Sequence, residues 1–323
     1  MTSPVAALVD ATGHGDRAAL ARLLTIVESG GEAARDALAA LPPTAAGHAA
    51  VVGLTGAPGA GKSTLTDGLV GRLRGAGERV AVIAVDPTSP FTGGAILGDR
   101  VRMQDHDTDD GVFVRSMATR GELGGLSRAA PHAVRVLDAA GYAWILVETV
   151  GVGQVEVAVA GTADTTVVVV TPGWGDAIQA SKAGLLEIGD VFVVNKADRG
   201  GVEVTVNDLH GMLMLGASVE EPQDGPREWV PPIVPTVAIE GRGLDELVDA
   251  VTGHRRYLEA SGELARRREL RVRDELRGIV LERVAKRADD ICSGARFDSV
   301  AARVAAGVVD PYTAATELVD DQT

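Results

Sequence analysis

The run Gly56-Ala57-Pro58-Gly59-Ala60-Gly61-Lys62-Ser63 fits the pattern G-x-x-x-x-G-K-[ST] at every position. It constrains the fold because it works only in one setting, with a buried strand leading in and a helix leading out. Both flanks are legible. Val51-Val52-Gly53-Leu54-Thr55 is a short apolar run, and Thr64-Leu65-Thr66-Asp67-Gly68-Leu69-Val70 reads as a helix. The glycines let the backbone curl until successive N–H groups converge. The helix start adds a partial positive charge at the same place. Such a nest holds phosphate. Lys62 is placed to reach the β- and γ-phosphates of a nucleoside triphosphate, and Ser63 to offer its hydroxyl to Mg²⁺, while Thr64 is counted with the nucleotide-binding residues.

Around this motif the chain falls into three zones. Residues 1–49 are alanine-rich, with Leu20, Leu23, Leu24 and Val27 at helical spacing and Leu41-Pro42-Pro43 as a stop, which predicts an N-terminal extension of one or two helices. Residues 50–260 alternate Val/Ile-rich runs with amphipathic ones. Strands are expected at Val51–Thr55, Val80–Val85, Val112–Val114, Trp144–Val147, Thr166–Thr171, Phe192–Val194 and Ile233–Val237. Helices are expected at Ser63–Arg74, Leu126–Ala139, Ala177–Ile188 and Leu244–Leu258. The strand runs are almost continuously apolar, as in a sheet covered on both faces. The expected class is therefore α/β, a P-loop NTPase with a mostly parallel sheet flanked by helices. Residues 261–323 carry no strand signal. Leu264, Leu270, Val272, Leu276, Ile279, Val280 and Val284 recur at helical spacing among many Arg and Glu, which suits either a long solvated helix or an arm for self-association.

Composition narrows the function classes. Hydrophobic residues make up 46% of the 323 but aromatics only 3%, so the core must be built from Ala, Val, Leu and Ile. A net charge of −14 disfavours binding nucleic acid through its phosphates or resting on an anionic membrane. No apolar run approaches the roughly 20 residues of a membrane span. One cysteine, Cys292, precludes an internal disulfide and a cysteine-based zinc site. The N-terminus lacks the basic start and apolar run of a secretory signal, so a cytoplasmic protein is expected.

A second motif chooses the base. Phe192-Val193-Val194 runs into Asn195-Lys196-Ala197-Asp198, an N-K-x-D sequence at a strand end. The Asp198 carboxylate can accept hydrogen bonds from N1–H and the 2-amino group of guanine, donors that adenine does not offer there. Asn195 is expected to brace the loop and the stem of Lys196 to cover the base. The loop Val237-Ala238-Ile239 is expected to reach guanine O6 through backbone N–H. A third motif follows the apolar run Trp144-Ile145-Leu146-Val147: Glu148-Thr149-Val150-Gly151 places an acid for Mg²⁺ or its water, and a glycine N–H for the γ-phosphate. Asp86 at a strand end, and Asp99 in the Gly/Pro/Ser/Thr-rich stretch from Pro87 to Arg100, either face the nucleotide or cap local backbone. Val152 stands where many GTPases carry the glutamine that orients water, and Gln154 lies further on, so slow intrinsic hydrolysis completed by a partner is expected.

Taken together, several runs resemble the GTPase chaperones of adenosylcobalamin-dependent acyl-CoA mutases, the MeaB/ArgK-like group. They are Ala84-Val85-Asp86-Pro87-Thr88-Ser89, Ile96-Leu97-Gly98-Asp99-Arg100, Arg115 to Gly121, Glu148 to Gln154, Gly175-Asp176-Ala177-Ile178-Gln179-Ala180-Ser181-Lys182, and Asn195 to Asp198. The resemblance implies an N-terminal helical extension over 1–49, a GTPase domain over 50–260 and a C-terminal helical dimerisation arm over 261–323. It implies a homodimer that binds GTP/GDP with Mg²⁺ and gates cofactor loading or repair for methylmalonyl-CoA mutase or a related mutase. It also implies that Asp86, Asp99 and Glu148 belong to the metal site. Asp176, Gln179 and Lys182 would lie in an additional switch that responds to the mutase and serves hydrolysis; Trp174 leads into it in place of the smaller residue expected. Two alternatives are a GTP-dependent metallochaperone and a kinase linked to amino-acid transport. The first calls for Cys pairs or His tracts, against one Cys and six scattered His.

Overall fold

The computed structural model describes residues 4–42, 48–86, 106, 108–118, 129–149, 159, 161–173, 179–216 and 229–320, with the backbone alone at 86, 118, 179–183, 215, 216 and 282. The chain divides into two compact units, Met1–Ala265 and Arg266–Thr323.

The first unit opens with three helices, α1 (Pro4–Gly13), α2 (Arg17–Ser29) and α3 (Gly31–Ala39), one more than the spacing of leucines predicts. The extra helix is α3, whose buried face is only Ala34 and Ala37 and so leaves little apolar signal. Asp16 starts α2 by accepting from the N–H groups of Ala18 (2.8 Å) and Ala19 (3.0 Å), two donors that the helix itself cannot satisfy. Gly30, at φ 73°, lets the chain reverse between α2 and α3.

The rest of the unit is the expected alternation. Its elements are β1 (Ala50–Gly56), α4 (Lys62–Gly75), β2 (Val80–Asp86), β3 (Val112–Ala118), α5 (Ala129–Ala139), β4 (Trp144–Thr149), β5 (Thr165–Val170), α6 (Gln179–Ile188), β6 (Val191–Asn195), α7 (Val202–Gly216), β7 (Ile233–Thr236) and α8 (Leu244–Ser261). The seven strands lie in the order β3-β2-β4-β1-β5-β6-β7. Every pairing between them is parallel. The chain leaves β1 for β2 and β3, returns to insert β4 beside β1, and then crosses to the other side for β5 to β7. That reversal opens a crevice at the carboxyl ends of the central strands, where α/β sheets place their ligands.

The sheet is buried on both faces. On one face Val51, Ile83, Val85, Ile145 and Val147 pack with Leu20, Leu23, Leu24 and Val27 of α2 and with Val136 and Leu137 of α5. On the other, Val52, Leu54, Val82, Leu146, Val167 and Val193 pack with Leu65, Leu69 and Leu73 of α4 and Leu244, Leu247 and Val251 of α8. A third cluster joins Val168, Val170, Phe192 and Val194 to Leu185 of α6 and Leu209 of α7. The N-terminal helices thus share the core of the sheet. Leu23 is fully buried (0% exposed). Leu23→Ala should destabilise the protein by about 2–5 kcal/mol, read as a lower denaturant midpoint; a change below about 0.5 kcal/mol would mean that α2 packs only as an ornament on the sheet.

The second unit holds most of α9 (Glu263–Ile291), then α10 (Gly294–Ala305) and α11 (Pro311–Asp320). A single long helix accounts for only part of this zone. Asp310 opens α11 by accepting from the N–H groups of Tyr312 and Thr313, both at 3.0 Å. The Thr313 hydroxyl, and then these N–H groups, hold its carboxyl below the ordinary carboxylate range. Val300, Ala314 and Leu318 close a small core with Ile291, Phe297, Val304 and Val309. Along α9, Leu270, Val272, Leu276, Ile279, Val280, Leu281 and Val284 are exposed. Among the described residues no helix is long and apolar enough to cross a membrane.

Candidate nucleotide site

The loop between β1 and α4 has the backbone that its glycines foretell. Gly56 has φ 135°, and a Cβ there would collide with the Val169 carbonyl of β5. Gly61 stands before α4 in the left-handed region at φ 94°, and a Cβ there would strike the Asn195 amide. Neither position tolerates a side chain, so the loop can approach β5 and β6 closely. Gly59 is also left-handed, at φ 73°.

Lys62 opens α4 and is 5% exposed. Its Nζ donates to the carbonyls of Gly56 (2.8 Å) and Ala57 (3.0 Å), so the ammonium lies over the loop rather than in bulk water. Ser63 Oγ donates to Glu148 Oε1 at 2.6 Å, joining the start of α4 to the end of β4. Glu148 is 3% exposed, and its second oxygen, Oε2, lies 2.9 Å from Thr66 Oγ1. A hydroxyl beside a buried carboxylate at the mouth of a phosphate loop is a hard-oxygen set. It suits Mg²⁺, which takes one or two carboxylates together with phosphate oxygens.

Asn195, at the end of β6, links three segments. Its Nδ2 donates to the Ala60 carbonyl (2.8 Å), and its Oδ1 accepts from Thr236 Oγ1 (3.1 Å) and from the Ala238 N–H (3.2 Å). Lys196 has φ 61° and is the only non-glycine residue with positive φ among the described residues. Its Nζ donates to the Gly59 carbonyl at 2.6 Å. The side chains of Asn195 and Lys196 therefore bind the turn after β6 to the loop between β1 and α4. Asp198 is exposed in the turn that follows β6, which the Ala197 N–H ties to the Thr236 carbonyl at 2.9 Å. In the loop after β7, Val237 N–H donates to the Arg242 carbonyl (3.0 Å), and Ala238 N–H already meets Asn195. Two of the three N–H groups expected to face a base carbonyl thus have protein acceptors, and Ile239 is the most exposed of the three residues at 81%. Arg72 of α4 steadies this loop from outside, donating to Asp245 Oδ1 (2.6 Å) and to the Gly241 carbonyl (3.3 Å).

The structure therefore brings Gly56 to Ser63, Glu148, Asn195 and Lys196 together at the carboxyl ends of the central strands, with Asp198 and the 237–239 loop on the β6 and β7 side. Asp99, Gly151 and Asp176 lie outside the described residues. Asp86 ends β2, and Gln179 and Lys182 lie in the first turns of α6, with their side chains outside the description. Motif reading missed Thr66 and Arg72. Thr66 carried a faint signal, since it lies three residues after Ser63 and so on the same helix face.

A family model described as Methylmalonyl Co-A mutase-associated GTPase MeaB matches residues 20–292. The chain is 48% identical over 314 residues to a protein of Pyrococcus abyssi named as a GTPase, covering 97% of this chain and 95% of that one. It is 39% identical over 255 residues to GTPase ArgK of Escherichia coli, covering 78% and 76%. Among solved structures, the crystal structure of LAO/AO transport system kinase superposes with a TM-score of 0.67 at 28% identity over the whole of both chains. Phosphate loop, guanine motif and family match agree, and the chain belongs to the MeaB family of methylmalonyl Co-A mutase-associated GTPases, as an enzyme that hydrolyses GTP to GDP and phosphate.

Proposed function

We propose that this GTPase is a chaperone of an adenosylcobalamin-dependent acyl-CoA mutase, methylmalonyl-CoA mutase first among them, and that it gates cofactor loading, protection or reactivation. The observation that carries this reading is the match of the mutase-associated family model over residues 20–292. In this reading Gly56 to Thr64 and Gly151 cradle the phosphates, and Lys62 neutralises charge as the γ-phosphate leaves. Asn195, Lys196, Asp198 and the 237–239 loop receive guanine. Ser63, Asp86, Asp99 and Glu148 hold Mg²⁺, which supplies charge neutralisation on the phosphates when bound. The contact between Ser63 Oγ and Glu148 Oε1 supports that assignment.

Asp176, Gln179 and Lys182 form the switch that the mutase completes. A γ-phosphate-dependent element with unequal affinity for the mutase in its two states would couple hydrolysis to cofactor exchange. The apolar residues exposed along α9 support a homodimer formed through the C-terminal arm. The working compartment is the cytoplasm.

Mixing the protein with purified methylmalonyl-CoA mutase and following phosphate release tests the partner. GTP turnover should rise well above the basal rate, by up to about 10³-fold where a catalytic group is completed in trans. A mutase that neither binds nor changes the rate removes the partner assignment. Labelled γ-phosphate appearing on an acceptor other than water would instead favour a kinase.

A further inference from the structure

Glu148 is held by two hydroxyls, of which motif spacing foretells one. The residue lies one position from the end of β4, in register with Leu54 of β1 and Ala84 of β2, so its backbone is fixed from both sides. Its two carboxylate oxygens have different partners. Oε1 accepts from Ser63 Oγ at 2.6 Å, and Oε2 from Thr66 Oγ1 at 2.9 Å. Thr66 is fully buried (0% exposed) and shares the face of α4 that carries Ser63. Thr66 Oγ1 also lies 3.0 Å from the Lys62 carbonyl, the usual acceptor for a threonine inside a helix. With one proton to give, the hydroxyl serves one of these acceptors at a time, and the charged carboxylate is the stronger.

We propose that Thr66 is a positioning residue for the Mg²⁺ site: it holds Glu148 through Oε2, so that Oε1 stays directed toward the ion shared with Ser63. The inference rests on the reading of Ser63 and Glu148 as the metal pair. A glutamate has one more rotatable bond than the aspartate found at this position in many GTPases, and therefore more orientations to lose. A second anchor removes them. When Ser63 turns its oxygen to the metal, the Thr66 contact still holds Oε2. Partners of this kind, bonded to a ligand rather than to the metal, typically change metal affinity by about 10–100-fold when removed.

The test is Thr66→Val, which keeps the shape and deletes the hydroxyl. Mn²⁺ is titrated into the full-length protein with GDP bound, and free ion is read by electron paramagnetic resonance. Alongside, the Mg²⁺ concentration giving half-maximal GTP turnover is measured. The Mn²⁺ dissociation constant and the half-saturating Mg²⁺ should both rise about 10–100-fold, and Thr66→Ser, which retains the hydroxyl, should restore both. Thr66→Ala, a better helix former than valine, gives the same measurement if the valine variant does not fold. A lower melting temperature with unchanged Mn²⁺ affinity makes Thr66 structural only and overturns the inference. Glu148→Gln separates the two layers. If it leaves Mn²⁺ affinity at the wild-type value, the metal pair itself is wrong; if it weakens Mn²⁺ while the Thr66 variants do not, only the role of Thr66 falls.

Discussion

Lys62→Ala should reduce GTP turnover by about 10²–10³-fold, the usual effect of removing one preorganised donor from developing charge. The magnitude follows from where the ammonium sits. Lys62 is 5% exposed and already lies over the loop, within 2.8 Å of the Gly56 carbonyl and 3.0 Å of the Ala57 carbonyl. Its position is therefore set by the same glycine-bearing turn that shapes the phosphate nest, and little reorganisation is needed when phosphate arrives. A distant lysine on the surface has no such constraint and cannot replace it. Phosphate release at saturating GTP and Mg²⁺ is the measurement, with GDP binding followed separately. Binding should weaken less than turnover, because the backbone N–H groups of the nest remain. Turnover at the wild-type rate would mean that the loop between β1 and α4 is not the hydrolytic site.

Asp198→Asn should move base preference from guanine toward xanthine. In the proposed site the carboxylate would accept two hydrogen bonds from guanine, each worth about 1.5–3 kcal/mol when the acceptor is charged. Discrimination for GTP over XTP should therefore fall by about 10²–10⁴-fold. The lower end is the better expectation, since Asp198 is exposed and the base must strip water from it. The turn itself should survive the substitution. Its shape comes from Asn195, from Lys196 at φ 61° and from the bond between Ala197 N–H and the Thr236 carbonyl, none of which involves the 198 side chain. Competition of GTP, XTP and ATP for a fluorescent GDP analogue reads the change. An unaltered order of affinities would remove Asp198 from base recognition.

Much of the architecture was visible before any contact was known. Seven strands appear where seven apolar runs lay, and their ends moved by only a few residues. β3 is the largest shift, running to Ala118 rather than Val114, because Arg115 and Ser116 break the apolar run. Arg115 is tolerated inside the strand because it pairs with Glu28 of α2 at 2.6 Å, a partner 87 residues away in the chain. The helix α3 and the division of the C-terminal zone into α9, α10 and α11 were less visible. Their buried faces are built from few residues, mostly small or widely spaced, and a weak apolar stripe leaves no clear period.

By itself, the sequence determined the contiguous motifs of this protein and its fold class. A phosphate loop is a contiguous run whose shape is set by glycine conformations, and a guanine motif is four residues at a strand end, so both can be read without knowing any neighbour. The α/β class followed in the same way, since strands apolar on both faces require helices on both sides. Tertiary structure alone decided what lies beside what. Placing β4 and β5 on either side of β1 puts Glu148 against Ser63 and Thr66, which precede it by 85 and 82 residues. Setting β6 and β7 side by side lets Asn195 join Ala60, 135 residues away, to Ala238. Strand order is an outcome of how the whole core packs, and apolar runs of similar length and composition do not encode it one by one. The proposed phosphate nest is thus a property of eight consecutive residues, while Glu148 and the Asn195 amide arrive beside it only when the sheet closes around it.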